Sequence, residues 1–114
     1  MKLEVLIADD DYISFIQGFR EKFKDKINFT CVEGGVHAVK LVGDRNYDLI
    51  ILDYNMPFNG YETAKKIREL KKDSKIIGYS ALWNETNAQE LGLLYYSGVE
   101  KDIERKLFDF IRRN

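Results

Sequence analysis

The chain has 114 residues, enough for one domain around one hydrophobic core. Its 18 Lys and Arg against 19 Asp and Glu leave a formal net charge of −1, which argues against a basic face for nucleic acid or for an anionic membrane surface. No apolar run approaches the ~20 residues that cross a bilayer, Met1-Lys2 does not open a signal peptide, and the single Cys31 has no intrachain disulfide partner. A cytoplasmic globular domain is the expectation.

Strand and helix patterns alternate along the chain. Leu3–Ala8 predicts a first strand that runs into Asp9-Asp10-Asp11. Tyr12, Ile16, Phe19 and Phe23 then recur at helical spacing. Phe29–Val32 predicts a short second strand, in which Cys31 is a small apolar residue. Gly34-Gly35 opens a weaker helical stretch, Val36 to Val42, which Gly43 should close.

Leu49–Asp53 predicts a third strand, whose four large aliphatic residues require cover on both faces. After the Pro57–Gly60 turn, Ala64, Ile67 and Leu70 mark a third helix. Lys75–Ser80 predicts a fourth strand, and Ala88, Leu91 and Leu94 a fourth helix. A fifth strand is expected around Ser97–Glu100. Ile103, Leu107, Phe110 and Ile111 then define a last amphipathic helix, with Arg112-Arg113 at the negative end of its dipole. Five βα units imply a parallel sheet with helices on both faces, and residues 1–114 are expected to form a single domain.

Asp9-Asp10, Asp53, Ser80 and Lys101 are all expected at the ends of strands. In a parallel sheet those ends open on one edge, where α/β folds build their ligand sites. Mg²⁺ prefers oxygen ligands at ~2.1 Å and takes only one or two carboxylates. Asp10 and Asp53 can supply them, with Asp9 holding a metal-bound water. Asp53 would then be a nucleophile toward a phosphoryl group, with Lys101 and the metal offsetting charge on its oxygens and the Ser80 hydroxyl donating to one of them.

These residues resemble those of the receiver (response regulator) domains of bacterial two-component systems. The resemblance is carried by Val5-Leu6-Ile7-Ala8-Asp9-Asp10, by Asp48-Leu49-Ile50-Ile51-Leu52-Asp53-Tyr54-Asn55-Met56-Pro57, by Gly78-Tyr79-Ser80-Ala81 and by Lys101. It implies a flavodoxin-like (βα)5 fold with strand order 2-1-3-4-5. It also implies that Asp53 accepts phosphate from a phosphohistidine and that Asp9, Asp10, Asp53 and the Asn55 backbone carbonyl hold Mg²⁺. Ser80 is then the switch hydroxyl, Ala81 the small residue beside it, and Lys101 the phosphoryl contact. The implied partners are a sensor histidine kinase or phosphotransfer protein and a downstream protein target, with no direct nucleic acid and no membrane insertion. The face near Trp83, Tyr95 and Tyr96 is where the family docks outputs or forms phosphorylation-dependent dimers. In such domains the residues two past the phosphoacceptor and two past the switch hydroxyl tune attack by water. They are Asn55 and Leu82 here, and apolar Leu82 implies a long-lived phosphoaspartate.

Three departures accompany the resemblance. Gly60 arrives one residue early, Lys101 is followed by Asp102 where the family has proline, and Gly98 stands nearest the usual aromatic switch position, with Tyr95 and Tyr96 upstream.

Plainer assignments stand beside these. Asp9, Asp10 and Asp11 are also helix-start residues, and Asp11 is taken as that alone. His37 reads as a surface residue. Trp83, Tyr95 and Tyr96 serve either the core or an interface. Three functions compete: a phosphorylation switch, a phosphate-independent binding module of the same shape, and a Mg²⁺-dependent aspartyl phosphatase. The last is disfavoured because Asn55 stands where such hydrolases place a second acid. A receiver excised from a longer regulator is a further alternative.

Overall fold

The computed structural model describes residues 2–114, the side chains of residues 12–16 excepted. Tyr12 and Ile16 of the first helical stripe therefore lie outside the described residues.

The elements alternate: β1 (Leu3–Ala8), α1 (Tyr12–Phe23), β2 (Ile27–Val32), α2 (Gly35–Asp44), β3 (Leu49–Asp53), α3 (Gly60–Leu70), β4 (Ile76–Tyr79), α4 (Glu85–Leu91), β5 (Tyr95–Ser97) and α5 (Glu100–Arg113). The five-stranded sheet has order β2-β1-β3-β4-β5, and every pairing is parallel. This is the expected doubly wound arrangement.

Side-chain alternation divides the core into two layers. Leu6, Ala8, Ile50 and Leu52 pack with Ala38, Val42, Ala64 and Ile67 of α2 and α3. Val5, Ile7, Leu49 and Ile51 pack with Phe19 and Phe23 of α1 and Ile103 and Leu107 of α5. Burying each such aliphatic side chain stabilises the fold by about 1.5–3 kcal/mol. The central aliphatic strands are covered on both sides, as their composition requires.

Several boundaries differ from expectation. β2 starts earlier, at Ile27, whose side chain is buried. β4 is trimmed at both ends, to Ile76–Tyr79. Gly43 does not close α2: the helix runs on to Asp44, and the Arg45 N–H donates to the Leu41 carbonyl at 3.0 Å. At α4 the reverse holds. Gly92 takes the left-handed conformation (φ 66°, ψ 39°) and ends the helix after Leu91. Leu94 is consequently exposed and outside the helix, and its N–H donates to the Ile76 carbonyl at 2.8 Å. β5 therefore lies at Tyr95–Ser97, upstream of the expected strand, and Glu100 already belongs to α5.

α5 forms as its amphipathic pattern predicts, with Ile103 and Leu107 buried and Arg112 and Arg113 in the last turn. Cys31 is a free, half-buried residue of β2 and His37 is exposed on α2. No helix among the described residues is long and apolar enough to cross a membrane.

Candidate metal and phosphoryl site

The order of the sheet sets β1 beside β3, with Ala8 opposite Leu52, so the next residues of the two strands are neighbours at the same edge. By alternation Asp9 and Asp53 project from the face covered by α1 and α5, the face of Ile7 and Ile51. Asp9 is only 6% exposed, and its backbone N–H continues the ladder by donating to the Val32 carbonyl at 3.0 Å. Its Oδ1 accepts the Asp11 N–H at 2.8 Å, a short polar turn that fixes the carboxylate as the chain enters α1. Asp53 is half-buried, and its Oδ1 accepts the Asn55 N–H at 3.3 Å through the same kind of turn. Asp10 is exposed.

Asp9, Asp10 and Asp53 each present a carboxylate oxygen, and these oxygens all lie within 4.8 Å of one another. The electrostatic consequence is concentrated on Asp53. Burial, followed by the Asp9 charge, pushes its pKa up to about 7, while the Asn55 N–H pulls the other way and Asp10 adds to the rise. Burial is also the main cause of the upward shift at Asp9, partly opposed by the Asp11 N–H. The Asp9 charge opposes ionisation of Asp53, so Asp53 keeps its proton further toward neutral pH than an ordinary aspartate does. A divalent cation with oxygen preference matches this donor set, since it would supply the positive charge that the proton now supplies.

The other side of the site is built differently. Ser80 lies just past β4, with its N–H donating to the Ser97 carbonyl at 3.1 Å. Its hydroxyl accepts the Leu82 N–H at 3.0 Å, within its own turn. Ala81 faces the segment after β5, where a Cβ on Gly98 would stand 2.8 Å from the Ala81 nitrogen. That close approach explains the glycine where an aromatic residue was sought.

Lys101 requires a correction of place. It was expected near the end of β5, but it is an exposed residue in the first turn of α5. The Ser97 hydroxyl accepts the Val99 N–H at 3.0 Å and donates to Asp102 at 2.8 Å, turning the chain into α5 before Lys101 is reached. The Lys101–Asp102 bond is trans. The structure thus gathers Asp9, Asp10 and Asp53, with Asn55 bonded to Asp53, and sets Lys101 in the first turn of α5.

Tyr79 was not singled out from sequence. It pairs with Asp53 in the β3–β4 register and projects from the same face. Burial and the charges of Glu100, Asp9 and Asp53 raise its phenol pKa. The available clue was its position immediately before Ser80. Trp83 proves to be a core residue, 3% exposed, and Tyr95 and Tyr96 are half-buried on β5.

Known proteins carry the same pattern. The family model for the response regulator receiver domain matches residues 5–106. Two-component response regulator 24 of Arabidopsis thaliana is 33% identical over 93 residues, covering 78% of this chain and 66% of that protein. Sensor protein EvgS of Escherichia coli is 35% identical over 98 residues, covering 81% of this chain but only 8% of the sensor. The crystal structure of response regulator protein TrrA from Thermotoga maritima, in complex with Mg²⁺-BeF, aligns with a TM-score of 0.76 at 30% identity, covering 96% of this chain and 99% of that one. The chain thus spans about two thirds of the first of these proteins and a small part of the second.

Proposed function

The chain belongs to the response regulator receiver domain family, and we propose that residues 1–114 form a single receiver domain that works as a phosphorylation switch on Asp53. The observation that carries this reading is the convergence of the Asp9, Asp10 and Asp53 carboxylate oxygens within 4.8 Å at the sheet edge. A receiver domain is a phosphoacceptor and signalling module, and its chemistry here would be a single transfer. An Asp53 oxygen attacks phosphorus, the phosphorus–nitrogen bond of a partner's phosphohistidine breaks, and neutral imidazole leaves after protonation.

Asp9, Asp10, Asp53 and the Asn55 backbone carbonyl would hold Mg²⁺, which when bound supplies positive charge opposite the phosphoryl oxygens. The all-oxygen donor set and the Mg²⁺-BeF complex of the 30% identical TrrA support that assignment. Asp53 must give up its proton before it can attack, and the cation favours that loss. Ser80 would leave its bond with the Leu82 N–H to donate to a phosphoryl oxygen. Lys101 would reach toward the same oxygens from α5, and an unchanged phosphorylation rate in Lys101→Ala would remove it from the site.

The proposed partners are a histidine kinase or phosphotransfer protein upstream and a protein target downstream, in the cytoplasm where a kinase draws its ATP. The match to one segment of the much longer EvgS supports a phosphorelay setting and keeps open a longer native chain.

The test is intact mass after incubation with acetyl phosphate, with and without Mg²⁺. A single phosphoryl adduct that needs Mg²⁺ and is absent from Asp53→Asn is the expected result. An adduct persisting in that variant sinks the assignment. The place of Lys101 in α5, past the end of β5, favours a second reading, a phosphate-independent binding module, which failure of the wild type to take up phosphate would support.

A further inference from the structure

The chain has one tryptophan, Trp83, in the connection between β4 and α4. Loop residues of this size are commonly solvated at least in part, yet its indole is 3% exposed. Two glycines make the space. A Cβ on Gly78 would stand 2.7 Å from the indole, and one on Gly60 would stand 2.8 Å from Trp83 Cζ2. Neither glycine has a positive φ, so neither is required there by backbone conformation. The ring of Tyr54 closes the socket edge-on, with centroids 5.0 Å apart.

The indole is also bonded. Its Nε1–H donates to the Leu52 carbonyl at 3.1 Å, a buried bond to the residue that precedes Asp53. The Trp83 backbone N–H donates to the Ser80 carbonyl at 3.4 Å, and the Leu82 N–H to Ser80 Oγ at 3.0 Å. One residue thus grips the strand end that carries Asp53 and the turn that begins at Ser80.

We propose that Trp83 is a positioning residue that couples the Ser80 turn to the Asp53 strand, so that a phosphoryl group on Asp53 is felt at the indole. This rests on the phosphorylation reading given above. If Ser80 Oγ leaves the Leu82 N–H for a phosphoryl oxygen, the tight Ser80–Trp83 turn must rearrange. At its far end the turn is anchored by the indole, seated among Gly60, Gly78 and Tyr54. The ring therefore changes its packing, or the Leu52 bond changes length.

Tryptophan emission followed alongside intact mass tests the idea, starting from Mg²⁺-loaded protein and adding acetyl phosphate. In wild type the emission should change with the time course of adduct formation. Ser80→Ala should still accumulate adduct, more slowly, with the emission change lost. Trp83→Phe keeps an aromatic ring and removes the N–H donor. It should leave Mg²⁺ affinity within about twofold and slow adduct formation about fivefold, the worth of one hydrogen bond. A merely structural role would lower the melting temperature and leave the emission response of Ser80→Ala intact.

An adduct with unchanged emission overturns the coupling while leaving the switch standing, and so does an emission change that survives in Ser80→Ala. No adduct in wild type overturns the switch and the coupling with it.

Discussion

The two halves of the sheet edge are held by different means. On the β1–β3 side, Asp9 and Asp53 are each fixed by an N–H two residues on, 2.8 Å and 3.3 Å away. On the β4–β5 side, the Ser80 hydroxyl is held by a local turn of the same kind, to the Leu82 N–H at 3.0 Å. That turn, however, is placed by contacts distant in sequence: Ser97 across the sheet, Gly98 against Ala81, and Trp83 anchored on Leu52. The acidic half is made by local turns on neighbouring strands, and the hydroxyl half by a local turn seated on tertiary packing. Substitutions in the first should therefore change ion binding without disturbing the fold, and substitutions in the second should do the reverse.

The sharpest way to break this contrast is at the ion. Asp10→Ala should weaken Mg²⁺ binding by at least about tenfold, as loss of a coordinating group does, with the fold intact by circular dichroism. Lys101→Ala should leave Mg²⁺ affinity within about twofold, because Lys101 is an exposed cation on α5 and not an oxygen ligand. Titration calorimetry on both variants decides the matter, and equal losses would erase the distinction.

A packing change on the other side should show the opposite signature. Gly78→Ala drives a methyl to 2.7 Å from the Trp83 indole and should cost about 1–3 kcal/mol in urea unfolding. Mg²⁺ affinity measured well below the unfolding transition should stay near wild type.

Proton linkage gives a third and smaller effect, confined to the acidic half. The Asp53 carboxyl moves from an ordinary value of 3.8 up to about 7 on folding, so the native state binds its proton more tightly than the unfolded chain does. That contribution is complete below about pH 4, declines as pH rises through 7, and is gone above it. Metal-free protein in chelator should melt at a lower temperature at pH 8 than at pH 6, and Asp53→Asn should reduce the difference. A melting temperature that rises across this interval would contradict the assignment.

The smallest expected effect lies between the two halves. Leu82 is 56% exposed and apolar, with nothing to orient an attacking water. The phosphoaspartate should be comparatively long-lived, and Leu82→Glu should shorten its decay time. An unchanged decay would remove Leu82 from that role.

The same contrast governs what the sequence discloses. β1 and β3 take the bounds their aliphatic runs predict, and Asp9, Asp10 and Asp53 follow from those bounds with little further information. Leu94 misleads because it continues the Ala88–Leu91 helical spacing, while the left-handed Gly92 ends the helix before it. That displaced β5 and, with it, the expected position of Lys101. The Ser97 hydroxyl bonds that start α5 are equally invisible to periodicity. Trp83 was undecided between core and interface because its socket is assembled from Gly60, Gly78 and Leu52, on three different segments.

The strand order has a kinetic consequence. Val5–Ala8 pairs with Leu49–Leu52, so the acidic cluster exists only after β1 and β3 close a loop that contains α1, β2 and α2. The carboxylates have no common site while the first two βα units assemble, and their mutual repulsion is met only when the centre of the sheet forms. A bound cation should then act mainly as a brake on unfolding and do little to hasten folding. In stopped-flow measurements added Mg²⁺ should slow the unfolding limb and leave the refolding limb almost unmoved.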